Sequence, residues 1–200
     1  MIDEFILESM KNVSRIYEIL IGRQLEKNNL REKIVAGFLN LSLEHFCSIL
    51  QLIEMKMHSS AFTLLRPLLD TVYRAIWFNL VSSQEDLEKF SKGNYEPKKT
   101  WQLAKDIDIE EKSDSFHKVC EKNLKFLNDM THGGIHQISR QFSADGKFVS
   151  ETFSDDEIIL LLNSAKGLVA MILITYNDFQ DDDLLEELGN EILKNKYSKN

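Results

Sequence analysis

The sequence predicts an all-α protein: a helical bundle of about six or seven helices carrying one small β-hairpin insertion. Three observations predict it. There are only 2 prolines and 8 glycines in 200 residues, too few breakers for a sheet-and-turn architecture. Long stretches repeat apolar residues at three-and-four spacing, the period of a helix face. Hydrophobic residues make up 43% of the chain, enough to build a core for a single helical domain over residues 1–200.

The first helix should run from about Ile2 to Lys27, with Phe5, Ile6, Met10, Val13, Ile16, Tyr17, Leu20 and Ile21 on its apolar stripe. Asn29 with Glu32 forms a capping pair for a second helix reaching about Met57, with Ile34, Leu41, Phe46, Leu50 and Ile53 inward. The third helix, near Ser59 to Leu80, is apolar almost all round, which marks a central position. Ser82 with Glu85 reads as a capping box opening a short helix to about Lys92. Pro97 suits the first turn of another short helix ending near Ile107, and the acidic run that follows reads as a solvated connector. A further helix from about Asp114 to Thr131 should bury Phe116, Val119, Cys120, Leu124 and Leu127. Gly133-Gly134 breaks it, and Asp145-Gly146 supplies the turn of a two-stranded hairpin. Ser154 with Glu157 then caps a long apolar helix to about Asn177, and an amphipathic helix, about Asp182 to Lys196, closes the chain.

The totals exclude several functions. A net charge of −8 opposes indiscriminate nucleic-acid binding, which needs cations to displace the counterions of phosphates. Cys47 and Cys120 stand far apart without C-x-x-C spacing, so reduced thiols in a cytoplasmic protein are expected. The acidic start lacks the basic-then-apolar order of a signal peptide. The stretch Ile158 to Tyr176 is long enough to span a bilayer, but Asn163, Ser164 and Lys166 at its middle mark a bundle helix, and no membrane partner is expected.

Two polar clusters interrupt this plain pattern. In the third helix Arg66, Asp70 and Arg74 are spaced i, i+4, i+8, which stacks them on one face among large apolar side chains. Buried charges must be paired, and Asp70 is expected to bridge both arginines. Pro67 beside them removes an amide donor and loosens the turn. The ladder reads either as a tie between helices or as part of a site. The second cluster is "THGGIHQISR", where the glycine break sets His132, His136, Gln137 and Arg140 close together. His132 and His136 have H-x-x-x-H spacing, but the glycines spoil the helix, no glutamate follows the first histidine and no third ligand is evident, so neither a metal nor a cofactor is expected.

"SSAFTLLRPLLDTVYRAIWF", "THGGIHQISR" and "SDDEII" together resemble a family of bacterial helical proteins similar to HEPN-like bundles, over about Ser59 to Ile159. The resemblance implies a helical bundle, a setting in abortive-infection or toxin–antitoxin loci, and a homodimer. HEPN ribonucleases carry an arginine followed four to six residues later by a histidine; no arginine here precedes a histidine at that spacing. Only Arg66 or Arg74 meeting His132 across the bundle could imitate that site, with histidine as general acid–base and arginine on the scissile phosphate.

Two functional classes follow. The first is a dimeric binding or regulatory protein in which Arg66, Asp70, Arg74, His132, His136, Gln137 and Arg140 line a polar pocket for an anionic ligand or partner, with a protein partner encoded nearby. The second is a metal-independent ribonuclease with His132, Arg74 and Arg66 as catalytic candidates and RNA as substrate. A structural subunit of a larger complex is the third alternative. A His132 ring beside the arginines in a cleft favours the enzyme; histidines in solvent and a sealed ladder do not.

Overall fold

A computed structural model describes residues 2–22, 25, 29–179 and 183–194. Among them nine helices follow in order: α1 (Ile2–Leu20), α2 (Leu30–Glu54), α3 (His58–Leu80), α4 (Gln84–Ser91), α5 (Thr100–Glu111), α6 (Ser115–Thr131), α7 (Ile135–Ser139), α8 (Asp155–Asn177) and α9 (Asp183–Lys194). The first helix stops at Leu20, with Gly22 at φ +83, well short of the expected end at Lys27; the expected end of the last helix, at Lys196, lies outside the described residues. The count exceeds six or seven because the short segments are stabilised by side chains at their entries. Ser83 caps α4, Gln102 accepts from the Lys99 amide at the start of α5, and Asp129 accepts from the His136 amide in α7.

Asn29 caps α2 by accepting from the Glu32 amide at 3.0 Å. A short connection turns α3 back along α2, and the two pack along their length. At the far end of α3 the Arg31 guanidinium donates to the carbonyls of Phe78, Asn79 and Ser82, which satisfies helix-terminal acceptors. Helices α2, α5, α6 and α8 all pack on α3, with α9 laid on α8 and α1 against α2, α8 and α9. One continuous core results, from Phe5 of α1 through Leu68 and Val72 of α3 to Leu188 of α9. Helices α2 and α8 are long and apolar enough to cross a membrane, and 44% and 56% of those spans are buried inside the bundle.

The hairpin expected at Asp145-Gly146 is absent: no strand occurs among the described residues. The turn itself forms, with Gly146 at φ +69, but Phe142 and Val149 make only an isolated antiparallel bridge. A lone two-stranded ribbon is marginal without a packed face, and Phe148 and Val149 are 67% and 85% exposed. Side chains hold this segment instead. Glu151 accepts from the Ser59 amide at 2.8 Å and stands 3.1 Å from His58, while Phe153 stacks on Phe62 with centroids 4.7 Å apart.

Two local expectations shift. The capping box of α4 is Ser83 with Asp86, because Ser82 is buried against Arg31 and the Phe78 carbonyl. The supposed acidic connector continues α5 as helix. Its Asp108 is buried and accepts from the Ser113 hydroxyl and from the amides of Phe116 and His117, capping α6. Burial opposes the charge of Asp108, but these donors outweigh it and hold the carboxyl below its usual range.

Candidate functional site

The ladder on α3 forms, with a different division of partners from the one its spacing suggests. Arg66 donates to Asp70 at 2.7 Å, to Thr100 at 2.9 Å and to Asn128 at 3.0 Å, so one guanidinium ties α3 to α5 and α6. The Thr100 hydroxyl donates to the same Asp70 oxygen that Arg66 uses. That shared oxygen turns toward Arg66 and Thr100, and among the described residues no ion pair or hydrogen bond joins Asp70 to Arg74. Arg74 makes one hydrogen bond among the described residues, to the Lys98 carbonyl at 3.4 Å. Asp70 is therefore not the shared acceptor of both arginines.

The glycine break has two causes. Gly133 takes φ +70, the left-handed residue that ends α6. Gly134 lies against the Asp129 carboxylate: a Cβ there would stand 1.8 Å from Asp129 Oδ1. Asp129 is thus free to accept from the His136 amide at 2.6 Å. His132 and His136 are exposed. The His136 ring faces Phe126, and among the described residues no contact joins His132 to Arg66 or Arg74. Gln137 reaches α3, donating to the Thr63 hydroxyl at 3.1 Å. Arg140 turns away to the Thr152 carbonyl and the Glu157 carboxylate, with its guanidinium over the Phe153 ring. The seven residues expected to form a pocket thus divide into a tie on α3, a clasp on α8, two exposed histidines and Gln137 between them.

The described residues contain no group of three His, Cys, Asp or Glu side chains placed to hold a metal. Both cysteines are free. Cys120 is buried, and burial pushes its thiol up to about 11, leaving little thiolate at neutral pH.

A sizeable concavity lies on the other flank of α3, away from both polar clusters. It is a groove of about 440 Å³ between α6 and α8, within the range of ligand sites. Phe62, Leu65 and Leu69 of α3 form its floor, Val119, Asn123 and Phe126 of α6 one wall, and Leu160, Ser164, Gly167 and Met171 of α8 the other. No charged residue is among those that line it. Val119, expected in the core, is 44% exposed on its rim, beside Leu160 at 67%. The missing Cβ of Gly167 faces open space. The sequence did carry a signal: Leu160, Ser164, Gly167 and Met171 repeat at four, three and four, a second stripe on a helix whose inner face was already apolar.

Fold and groove together define an all-α protein that offers an apolar groove. The chain belongs to a family of unknown function (DUF6988), whose model matches residues 39–187. That span takes in both polar clusters and all of the groove except Leu193 of α9. Neither the curated proteins nor the solved structures yield a match.

Proposed function

We propose that this protein is a helical binding and regulatory module whose working surface is the α3–α6–α8 groove. The observation that carries this reading is the groove itself: about 440 Å³, apolar and lined without charge. Its occupant is an apolar segment of a partner rather than an anion. Arg66 and Arg140 each already hold a carboxylate, which supports a structural role for both. A cytoplasmic setting in a defence or toxin–antitoxin locus, with a partner encoded nearby, belongs to the same proposal and rests on the HEPN-like resemblance.

The test is titration of the full chain with an uncharged apolar fluorophore. Binding should saturate at one site per chain and weaken about tenfold or more in Gly167→Phe, which fills the groove. Binding indifferent to that substitution overturns the reading. Metal-free cleavage of RNA by the parent, lost in both His132→Ala and Arg74→Ala, would replace it with the ribonuclease reading.

A further inference from the structure

We infer that residues 141–153, the connector from α7 to α8, form an autoinhibitory strap. Held down, it closes the groove at Phe62; a ligand that fills the groove lifts it. This rests on the groove being a binding surface, and names what regulates access to it.

The floor of the groove shows where the strap acts. Phe62, Leu65 and Leu69 follow one another along α3 at spacings of three and four. The next position on that face, toward the start of the helix, is His58. His58 does not line the groove, because the strap lies there. Phe153 stacks on Phe62 with ring centroids 4.7 Å apart and planes 19° from parallel. The His58 ring stands 6.0 Å from the same Phe153 ring in a T-shaped arrangement. An aromatic side chain of this chain thus covers the floor residue at which the groove ends. An apolar ligand reaching along α3 competes with it for the Phe62 ring.

The strap is fastened on two sides. On α3, Glu151 accepts from the Ser59 amide at 2.8 Å and stands 3.1 Å from His58 Nδ1. Gln141 Nε2 donates to Ser59 Oγ at 2.5 Å. At its root, Arg140 donates to the Thr152 carbonyl and pairs with Glu157 of α8, and the Thr152 amide donates back to the Arg140 carbonyl. The turn between these fastenings adds little packing, since Phe148 and Val149 are 67% and 85% exposed. The clasp on α3 is therefore free to release while the root stays closed, a local opening at the low-stability end of the molecule.

The clasp carries its own reporter. Ser59 is the second residue of α3, so its amide is one of the four at a helix start without an intrahelical acceptor. It bonds to Glu151 instead, and its exchange with solvent follows the opening of the strap. A ligand that binds only the open form has its apparent affinity lowered by the open fraction, and releasing the strap returns that factor. By the same linkage, the ligand must hold the strap open.

Amide hydrogen exchange of the full chain, with and without a saturating uncharged apolar fluorophore, tests the inference. Filling the groove should speed exchange of the Ser59 amide about fivefold or more, while core amides such as that of Val72 stay protected. That measurement needs no substitution and decides the case even where a variant folds poorly. Glu151→Ala, which releases the clasp, should tighten fluorophore binding about tenfold, and the gain should match the parental protection of the Ser59 amide within about threefold. Phe153→Ala, which withdraws the ring, should also tighten it. Binding by these variants alone would mark a strap almost always shut, and supports the inference. Slowed or unchanged Ser59 exchange on filling the groove overturns the strap, as does binding that is unchanged or weaker in both variants; Phe153 is then a wall, and the groove remains a binding surface. No binding by parent or variants overturns strap and groove together.

Discussion

Helix α3 has two flanks built on opposite terms. Toward α5 and the last turn of α6 it is tied by polar side chains, Arg66 reaching Thr100 and Asn128, while Asp108 caps the start of α6 from the end of α5. Toward α8 its Phe62, Leu65 and Leu69 are left as the floor of an open groove. Charges with fixed geometry specify one arrangement and leave little capacity for a ligand. Apolar surface is not directional, and can accept whatever matches its shape. The flank that looked functional in the sequence because it was charged is the one whose charges already have partners.

The largest expected effect comes from breaking the tied flank. Asp70→Ala strands Arg66 and Thr100 at a site where both side chains of the ion pair are less than a third exposed. Unfolding should become easier by about 2–3 kcal/mol, below the 3–5 of a fully buried pair. A thermal melt matching the parent would show that this flank is held by packing alone.

Asp108→Ala removes one acceptor from three donors and should cost about 1–2 kcal/mol near neutral pH, the usual worth of a helix cap. Its sign with pH is fixed. The folded carboxyl titrates below its ordinary 3.8, so the stabilisation is complete above that value and fades as pH falls through the lowered one. The gap between denaturant melts of parent and variant should therefore begin to close only below pH 3.8 and vanish once the pH lies under the lowered folded value. A gap that stays constant into acid removes the cap from the account.

Arg74→Ala sharpens the contrast within the ladder. With a single 3.4 Å hydrogen bond to lose, it should cost under about 1 kcal/mol. A loss as large as that of Asp70→Ala would mean that Arg74 shares the carboxylate after all.

The smallest loss of stability should come from Lys166→Met, on the inner face of the helix that walls the groove. Lys166 is buried, 3.8 Å from Glu8. Burial lowers its pKa, with Glu8 and Glu191 opposing. Apolar replacement of such a group is neutral or stabilising by up to about 2 kcal/mol. With the folded value below 10.5, the unfolded chain binds more protons between the two values, so parental stability rises with pH there and that of the variant does not. Marked destabilisation of Lys166→Met would show that the wall of the open flank is held ionically too.

Local signals survived translation into structure because they are closed within a few residues. Asn29, the Ser154–Glu157 box and the left-handed Gly133 act on backbone groups one turn away. The same logic misled where two adjacent residues competed: Ser82 and Ser83 differ only in that Arg31, from another helix, claims the first. The Asp-Gly turn was legible, but the hairpin around it needed a packed face that no neighbour supplies.

By itself the sequence determined the helical class, the i, i+4, i+8 ladder and several helix caps, since spacing and backbone chemistry decide these within a turn or two. Tertiary structure alone decided the rest. It gave the shared Asp70 oxygen to Arg66 and Thr100, it sent Arg140 to Glu157, and it held α6 and α8 apart on α3 so that Val119 and Leu160 line a groove. Those outcomes depend on which distant side chain arrives first at an acceptor and on how far apart two helices sit on a third, and neither distance is written in the local order of residues.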